Sequence, residues 1–425
     1  MCEMVLVDIG CSNCPQDGCL QKRLKDMSAI IDDETYSHIY IMTDRNSETQ
    51  KNHVQATSTL LESFAGQKEK IHILDEGCVA SSWYSFKQAV DELDLSAVLV
   101  VTSSQRRNML QTYQSLLFTA VYSFEYKTLF DDSQCPITSS HLSKNIREEV
   151  KAFLRNLPAV TGEISILRSS LISDSFSHGF TTRTGGISYI STLRSLNLFS
   201  SSRRRDPNVV VEENLRRLGL QAGFDPENFR LIKTDHASDV WVIGKPEPPS
   251  YDGMVTNQVG LVIAAPGADC MPLLFTDPVA KVIGVAHAGW KGTLKGVAVE
   301  MVNAMVSEFG SKPSDIVVVI GPSVGPCCFT LDRDSAEKYY AIHPDCVKAR
   351  GSTRPYIDIR LATRILLQQA GILPRCIQDN TVTDRPLLTL CTACSPDTFF
   401  SHVRDGINFG TQIGFLWIKN QSVSG

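Results

Sequence analysis

Short β-branched runs recur through the first 125 residues and are separated by helical patterns such as that of residues 54–64. The runs lie at residues 5–9, 38–43, 71–74 and 97–102. Runs of this length between amphipathic segments are typical of strands that alternate with helices. The pattern predicts an α/β fold with an open, mostly parallel sheet and helices on both faces.

The second half of the chain is richer in strand patterns. Continuous apolar runs at residues 261–265, 271–275, 282–286 and 316–320 are bounded by Gly, Pro or Asp, as buried strands are. From Leu294 to Phe309, apolar residues recur at three- and four-residue steps. This stripe predicts one continuous helix that opens at the Gly289–Gly292 turn and ends at Gly310.

A polar segment at residues 131–144, interrupted by Pro136, separates the two halves. An amphipathic helix is predicted directly after it, at residues 146–157. We therefore predict an α/β amino-terminal domain at residues 1–145, a helical linker at residues 146–162 and a second domain at residues 163–425. A chain of 425 residues is long enough for two domains.

The net charge of −5 argues against a general nucleic-acid binder, which needs surplus Lys and Arg to displace counterions from phosphates. We interpret the basic run Arg203–Arg205 as a solvated loop beside Asp206, rather than as a polyanion or targeting patch. No apolar run reaches the roughly 18 residues of a membrane-spanning helix, and no basic region precedes the first apolar run. We expect a cytoplasmic protein with no nucleic-acid partner and no transmembrane segment.

The chain has 13 cysteines and no export signal, which favours free thiols or metal ligands over a disulfide framework. Three groups are closely spaced: Cys11, Cys14 and Cys19; Cys391 and Cys394; and the adjacent Cys327 and Cys328. The first two groups resemble metal-knuckle or redox spacings, but neither has a partner pair at finger-type spacing. We favour unpaired thiols for both over metal or redox use, and packing for the adjacent pair.

Cys270 and His287 each lie where a predicted strand meets a loop. Because α/β sheets build their sites at strand ends, these two side chains can converge. With His236 as a third ligand, two imidazoles and one thiolate would give zinc three protein ligands and an open position for water. The spacing matches no local zinc motif, so residue types alone leave a core histidine and a buried free thiol as the alternative.

Two glycine-containing turns are candidates for contacting an anion. The Gly289–Gly292 turn precedes the predicted helix, whose amino-terminal N–H groups would suit a phosphate. Arg183 lies on a second such loop, at residues 181–186, where a guanidinium can bind an oxyanion. Each segment taken alone is equally typical of an ordinary turn.

The second half resembles the laccase-domain, or YfiH-like, family, long labelled multicopper polyphenol oxidases and now regarded as purine nucleoside phosphorylases. The matching motifs occur in order at Thr181-Thr182-Arg183 with Gly185-Gly186, Ser195-Leu196-Asn197-Leu198, His236, Ala268-Asp269-Cys270-Met271-Pro272, His287-Ala288-Gly289-Trp290, Ile320-Gly321-Pro322 and Phe399-Phe400-Ser401. They span about 60% of the chain, the length of one domain. The fold that the resemblance implies is an α/β sandwich with mixed sheets.

The resemblance also implies one catalytic zinc ion on His236, Cys270 and His287, with Arg183 as a further catalytic residue. The substrate contacts that we predict are Arg183, Asn197, Asp252, Lys291 and Arg404. The implied activities are phosphorolysis of inosine, guanosine, adenosine and methylthioadenosine, with inorganic phosphate as co-substrate, and deamination of adenosine to inosine. We expect purine nucleosides and phosphate as binding partners, and a monomer or homodimer.

Some positions depart from the family pattern. Asp235 precedes the first predicted ligand where the family often has a Gln-Val pair, and Lys291 replaces an Arg. His402-Val403-Arg404 stands where Tyr-Arg-Arg is common, and no second basic residue lies around Gly410-Thr411. The three predicted ligands and Arg183 are all present, so the predicted activity is kept.

Two other functions are compatible with the sequence. Cys270 could act as a thiolate nucleophile with His287 as its base, in a metal-free hydrolase or deamidase. Alternatively, the chain could be a non-catalytic interaction module that binds through its amino-terminal sheet. Copper oxidation is disfavoured, because the nine histidines include no His-x-His pair. The amino-terminal half has no Gly-x-Gly-x-x-Gly turn or P-loop that would support nucleotide binding there.

Overall fold

The computed structural model describes residues 4–10, 22–23, 25–27, 30–31, 36–43, 69–130, 143–382 and 384–420. Two compact units are distinguished, one within Met1–Leu157 and Ser200–Val210, the other within Pro158–Phe199 and Val211–Gly425. The predicted helix at residues 54–64, most of the polar segment at 131–144, and Cys11, Cys14 and Cys19 lie outside the described residues. None of the helices described is long and apolar enough to cross a membrane.

The first unit contains a five-stranded sheet with the order β3-β2-β1-β4-β5, in which every neighbouring pair is parallel. Its strands are β1 (Met4–Asp8), β2 (His38–Met42), β3 (Ile71–Leu74), β4 (Ala97–Ser103) and β5 (Ser123–Phe130). Among the residues described, helices with defined bounds are α1 (Val79–Glu92), α2 (Ser104–Leu117) and α3 (Ser143–Asn156). The predicted parallel α/β sheet is confirmed.

The carboxyl end of β1 is closed by a buried ion pair. The Asp8 carboxylate has no exposed surface and accepts hydrogen bonds from Arg106 Nε and Thr102 Oγ1, both at 2.7 Å. A buried charge is tolerated when it is paired in this way. The position where a parallel sheet often carries a site is thus filled by a neutralised pair.

The basic run Arg203–Arg205 differs from the predicted solvated loop. Arg204 is only 8% exposed. Arg205 donates to Asp91 Oδ1 at 2.8 Å and to Asp94 Oδ1 at 2.7 Å. The interpretation as a solvated loop is wrong, because these side chains are used in packing and ion pairs within the first unit.

The second unit is built on two mixed sheets. A six-stranded sheet has the order β17-β14-β12-β13-β10-β9, a five-stranded sheet has the order β6-β7-β18-β11-β8, and β15 pairs with β16. The strands are β6 (Ile166–Leu167), β7 (Phe176–Thr181), β8 (Phe229–Leu231), β9 (Val240–Val242), β10 (Gly253–Thr256), β11 (Val262–Gly267), β12 (Met271–Asp277), β13 (Val282–Ala288), β14 (Val317–Ile320), β15 (Val347–Lys348), β16 (Tyr356–Ile357), β17 (Ile377–Gln378) and β18 (Gln412–Ile418). β12 and β13 pair antiparallel, whereas β11 and β8 pair parallel. The predicted mixed sheets are confirmed.

The two sheets enclose one apolar layer and are covered by helices on their outer sides. Leu274 and Val285 of the six-stranded sheet pack with Phe180 and Ile263 of the five-stranded sheet. The helices are α4 (Asn208–Ala222), α5 (Trp290–Lys295), α6 (Val297–Phe309), α7 (Arg333–Ile342), α8 (Ile359–Gln369) and α9 (His402–Asp405). α6 and α8 pack on the six-stranded sheet, and α4 packs on the five-stranded one. Burial on both faces explains why the central strands are continuously apolar.

The stripe from Leu294 to Phe309 forms two helices instead of one. α5 ends at Gly296, which adopts a left-handed φ of 85°, and α6 begins directly after it. Glycine reaches this conformation without the steric penalty of a Cβ atom, so it ends the first helix. The prediction of one continuous helix is wrong, whereas its end at Gly310 is confirmed.

Candidate functional site

The end of the β12–β13 pair brings two predicted ligands together. Cys270 directly precedes β12, and His287 lies in β13 opposite Pro272. His236 reaches them from the loop between β8 and β9, with a left-handed φ of 63°. The ligand atoms of all three residues lie within 4.8 Å of one another. The structure therefore gathers residues that are 34 and 17 positions apart in the sequence.

One carboxylate supports both histidines. Asp252 has no exposed surface, and its Oδ1 accepts a hydrogen bond from His287 Nδ1 at 2.7 Å. Its Oδ2 accepts from the backbone N–H groups of Ala237 at 2.8 Å and Asp235 at 3.2 Å, the two neighbours of His236. Because a carboxylate can only accept here, His287 Nδ1 carries a proton, and Nε2 is the nitrogen that can serve as a ligand atom when a metal displaces its own proton.

Gly289 leaves space for the cluster. A Cβ atom added at this position would come within 2.8 Å of Cys270 Sγ and 3.5 Å of His236 Cδ2. The first distance is shorter than a normal contact, so any larger residue would push the sulfur atom aside. Glycine here is a steric requirement of the site.

The charges of the three groups stabilise one another. Burial raises the pKa of the Cys270 thiol, but the His287 and His236 imidazoles lower it by more, so that the pKa is about 6. Burial lowers the pKa of His287, whereas the Cys270 sulfur and the Asp252 carboxylate raise it well above its ordinary value. Cys270 is therefore largely a thiolate at neutral pH, which is the form that binds metals and acts as a nucleophile.

Arg183 is held in a fixed position beside β7. Its guanidinium donates to the carbonyl oxygens of Arg194 at 2.7 Å, Pro396 at 2.7 Å and Ser191 at 2.9 Å. It also lies over the Phe400 ring, 4.9 Å from the centroid. Since a guanidinium has five N–H donors, these three bonds leave donor capacity for an anion.

Arg404 is joined to the Cys270 loop through Asp269. Arg404 donates to the Thr392 carbonyl at 2.9 Å, and Thr392 Oγ1 donates to Asp269 Oδ1 at 2.6 Å. The backbone N–H of Val403 donates to the other Asp269 oxygen at 2.6 Å. Asp269, the residue before Cys270, is thus bonded to the segment that carries Arg404.

Asn197 and Lys291 have different surroundings from these residues. Asn197 is fully buried, and its Oδ1 accepts from the backbone N–H groups of Thr411 at 3.0 Å and Phe199 at 3.3 Å. Lys291 is exposed on α5, with its ammonium 5.3 Å from the Trp290 ring centroid. The Asn197 amide is therefore closed off from solvent, whereas the Lys291 ammonium can reach it.

The structure also assembles a cluster that sequence reasoning missed. The Cys391 and Cys394 thiols lie next to those of Cys327 and Cys328. The sequence carries this signal as two close cysteine pairs, but a long stretch of chain separates them, so neither pair predicts the other. The prediction of packing for Cys327 and Cys328 did not include this partner.

A family model described as multi-copper polyphenol oxidoreductase laccase matches residues 177–419, which is more than half of the chain and includes the three candidate ligands. The chain belongs to this family. The laccase-domain resemblance predicted from the motifs is confirmed.

Several relatives of this laccase-domain chain have been described. Human purine nucleoside phosphorylase LACC1 is 49% identical over 99% of this chain and 100% of its own length. Purine nucleoside phosphorylase YlmD of Bacillus subtilis is 31% identical over 57% of this chain and 88% of its own. The crystal structure of YlmD from Geobacillus stearothermophilus aligns with a TM-score of 0.54 at 28% identity, covering 62% of this chain and 100% of that one.

Proposed function

We propose that this chain is a purine nucleoside phosphorylase that uses one zinc ion held by His236, Cys270 and His287. The observation that carries the proposal is the convergence of these three donors within 4.8 Å, backed by the buried Asp252 carboxylate. Relatives that match the full chain and its second half are both named purine nucleoside phosphorylases. The proposed substrates are inosine, guanosine, adenosine and methylthioadenosine with inorganic phosphate, and adenosine is also deaminated to inosine.

The donor set fits zinc. Two imidazoles and one thiolate are ligands that zinc takes in open, catalytic sites. Among the described residues, no fourth His, Cys, Asp or Glu joins this group, so a position is left open to substrate or solvent. When bound there, zinc supplies Lewis acidity at that open position. The Asp252 bond to His287 is the outer contact that usually orients a histidine ligand.

The protein's own cations serve the phosphate and the ribose. Arg183 keeps free N–H donors after its three carbonyl bonds and is fixed by them, so it can orient an oxyanion at little entropic expense. Arg404 is joined to the Cys270 loop through Thr392 and Asp269, and its guanidinium donates to both Asp405 oxygens at 2.7 Å, so it holds the loop with its charge paired. Lys291 is a mobile cation at the start of α5. Arg183 and Lys291 stabilise the negative charge that phosphorolysis brings into the site.

Asp252 and Asn197 support the site in this proposal instead of contacting substrate. Both oxygens of Asp252 are engaged by His287 and the backbone around His236. Asn197 is fully buried, with its amide oxygen bonded to Thr411 and Phe199. Their loss would act through the groups that they position.

The family description names copper oxidoreductases, but the ligands here do not suit that chemistry. A laccase needs many imidazoles for a mononuclear copper and a three-copper cluster. Within the described parts of the chain, the groups of potential ligands are the His236 site and the four-cysteine cluster. Neither supplies the required set of histidines.

The direct test is incubation of the purified full-length protein with each nucleoside, with and without phosphate, followed by separation of the bases. We expect free base and sugar 1-phosphate only when phosphate is present, and inosine from adenosine without it. The same assay after zinc removal and readdition should show loss and recovery of both activities. Zinc-loaded protein that converts none of the four nucleosides would contradict the proposal.

A metal-free Cys–His hydrolase is the second candidate, because the pKa of Cys270 is lowered to about 6 beside His287. Such a pair resembles the activated thiolate of cysteine hydrolases. The two candidates respond differently to chelation. A thiol hydrolase keeps its activity in chelator, whereas the zinc enzyme loses it and regains it when zinc is returned.

A further inference from the structure

Four cysteine side chains meet in the second unit and form a group separate from His236, Cys270 and His287. The sulfur atoms of Cys327, Cys328, Cys391 and Cys394 all lie within 4.8 Å of one another. Cys394 Sγ is 3.3 Å from that of Cys328 and 3.6 Å from that of Cys327. A disulfide bond is about 2.05 Å long, so these are unbonded thiols in close contact.

The two loops that carry these cysteines are fixed to each other by backbone hydrogen bonds. The N–H of Ser323 donates to the Leu390 carbonyl at 3.2 Å, and the N–H of Thr392 donates to the Ser323 carbonyl at 3.1 Å. Arg360, only 3% exposed, donates to the carbonyls of Leu390 and Thr389, both at 2.9 Å, and to Ser323. The four sulfur atoms are therefore held together by the fold itself.

Gly325 contributes an outer contact and space. Its backbone N–H donates to Cys391 Sγ at 3.3 Å, which is the kind of hydrogen bond that supports metal-bound thiolates. A Cβ atom added at Gly325 would lie 3.2 Å from Cys327 Sγ. The loop is shaped around the sulfur atoms.

We propose that these four thiolates bind one structural zinc ion. Tetrahedral zinc–thiolate bonds of about 2.3 Å place the sulfur atoms about 3.8 Å apart, close to the separations in the cluster. With all four sulfur atoms within 4.8 Å of one another, one ion can contact them all, whereas a two-iron cluster divides its four ligands between two metal ions. With every coordination position supplied by cysteine, the site is closed and suited to holding structure.

The ion would help to position the Cys270 loop through hydrogen bonds to Asp269. The N–H of Val324 donates to the Asp269 carbonyl at 3.0 Å, and Thr392 Oγ1 donates to its carboxylate at 2.6 Å. Both cysteine-bearing loops are thus bonded to the residue that precedes Cys270. Zinc at the four cysteines would fix these loops without touching substrate.

The first experiment measures zinc by elemental analysis in protein purified under reducing conditions. We expect the Cys391→Ser/Cys394→Ser variant to contain about one zinc ion per chain less than the wild type. The Cys376→Ser variant, a half-buried thiol outside both clusters, should match the wild type. The comparison is independent of the proposed function, because Cys270→Ala tests the other site separately.

The second experiment uses the unmodified full chain, so it does not depend on a variant that folds. Cys394 is exposed and should react with iodoacetamide if it is free. Zinc binding should slow the alkylation of Cys394 roughly tenfold or more, and chelation should remove this protection. Peptide mass spectrometry assigns the rate to each cysteine.

Equal zinc content in the wild type and the double variant would overturn the proposal, and so would copper or iron at these cysteines in place of zinc. Rapid alkylation of Cys394 before chelation would overturn it too. Protection that only a reductant removes would also contradict it, because it would indicate a disulfide instead of a metal.

Discussion

The second unit contains two sulfur-bearing clusters that differ in donor type and number. At the first cluster, one thiolate and two imidazoles converge, and Asp252 holds both histidine segments. At the second, four thiols converge and a backbone N–H from Gly325 supports one of them. A set of three donors leaves room for a reacting molecule, whereas a set of four cysteines fills a tetrahedral ion. In these two proposals, the number of protein donors distinguishes a catalytic zinc ion from a structural one within the same unit.

The largest expected effect distinguishes Cys270 from an ordinary thiol. Cys270→Ala should reduce nucleoside turnover at least about 1,000-fold, because it removes the thiolate around which both imidazoles are arranged. Zinc content should fall by about one ion per chain. Cys376→Ala, outside both clusters, is the matched control and should keep its turnover and its zinc. Full turnover in Cys270→Ala would contradict the proposal that the first cluster is catalytic.

A smaller loss is expected when the carboxylate behind the histidines becomes an amide. In Asp252→Asn, the amide oxygen can keep the His287 bond, but its NH₂ group then faces the N–H donors of Ala237 and Asp235. Zinc affinity at this site should weaken roughly 10- to 100-fold, as measured by competition with a chromophoric chelator.

Asp277→Asn provides the control for that substitution. Asp277 is also a buried carboxylate, and its Oδ1 accepts the N–H groups of Val279 at 2.8 Å and Ala280 at 2.9 Å. An asparagine there keeps this acceptor, so zinc affinity should be unchanged. Equal losses in both variants would indicate a general effect of buried charge.

The steric prediction concerns Gly289. Gly289→Ala places a Cβ atom 2.8 Å from Cys270 Sγ, so the sulfur atom must move. We expect turnover to fall about tenfold with little change in thermal stability, because small displacements at a reacting group are costly. Gly351→Ala, where an added Cβ atom meets nothing within 4 Å, should behave as the wild type. Equal turnover in both alanine variants would show that the site tolerates the added atom.

The smallest effect on activity is expected at the four cysteines. Cys394→Ser should reduce turnover only about two- to threefold, since these residues act through Asp269. Its melting temperature should fall by roughly 5 °C or more as the structural ion is lost. Calorimetry with parallel assays separates the two. A variant that loses nearly all turnover but melts normally would place Cys394 in the catalytic site.

The local elements were predictable because burial dictates their apolar pattern. The run at residues 71–74 coincides with β3, and the run at 271–275 begins β12, which continues to Asp277. The break at Gly296 was missed because apolar residues continue on both sides of it, so periodicity gave no sign of a left-handed residue. Local pattern therefore defined most strands, but not this helix boundary.

Contacts between residues that are distant in the sequence were harder to predict from it. Residue types alone made His236, Cys270 and His287 candidate ligands. Only the family resemblance favoured them over a core histidine and a buried free thiol, because their spacing follows no local motif. The bond from Asp252 to His287 depends on β10 pairing with β13, where Gly253 lies opposite Ala286. Pairing of the two cysteine loops likewise depends on Ser323 meeting Cys391. Such contacts are products of tertiary folding and leave no periodic signature.

The single carboxylate shared by the two histidine segments has a consequence for protein engineering. Because Asp252 reaches the imidazole of one histidine and the chain on either side of the other, disturbing either attachment alters the alignment of both. Grafting only the three donors onto a new scaffold would therefore yield a poorly aligned binding site. A successful transplant would also need to carry the acid and the strand that presents it.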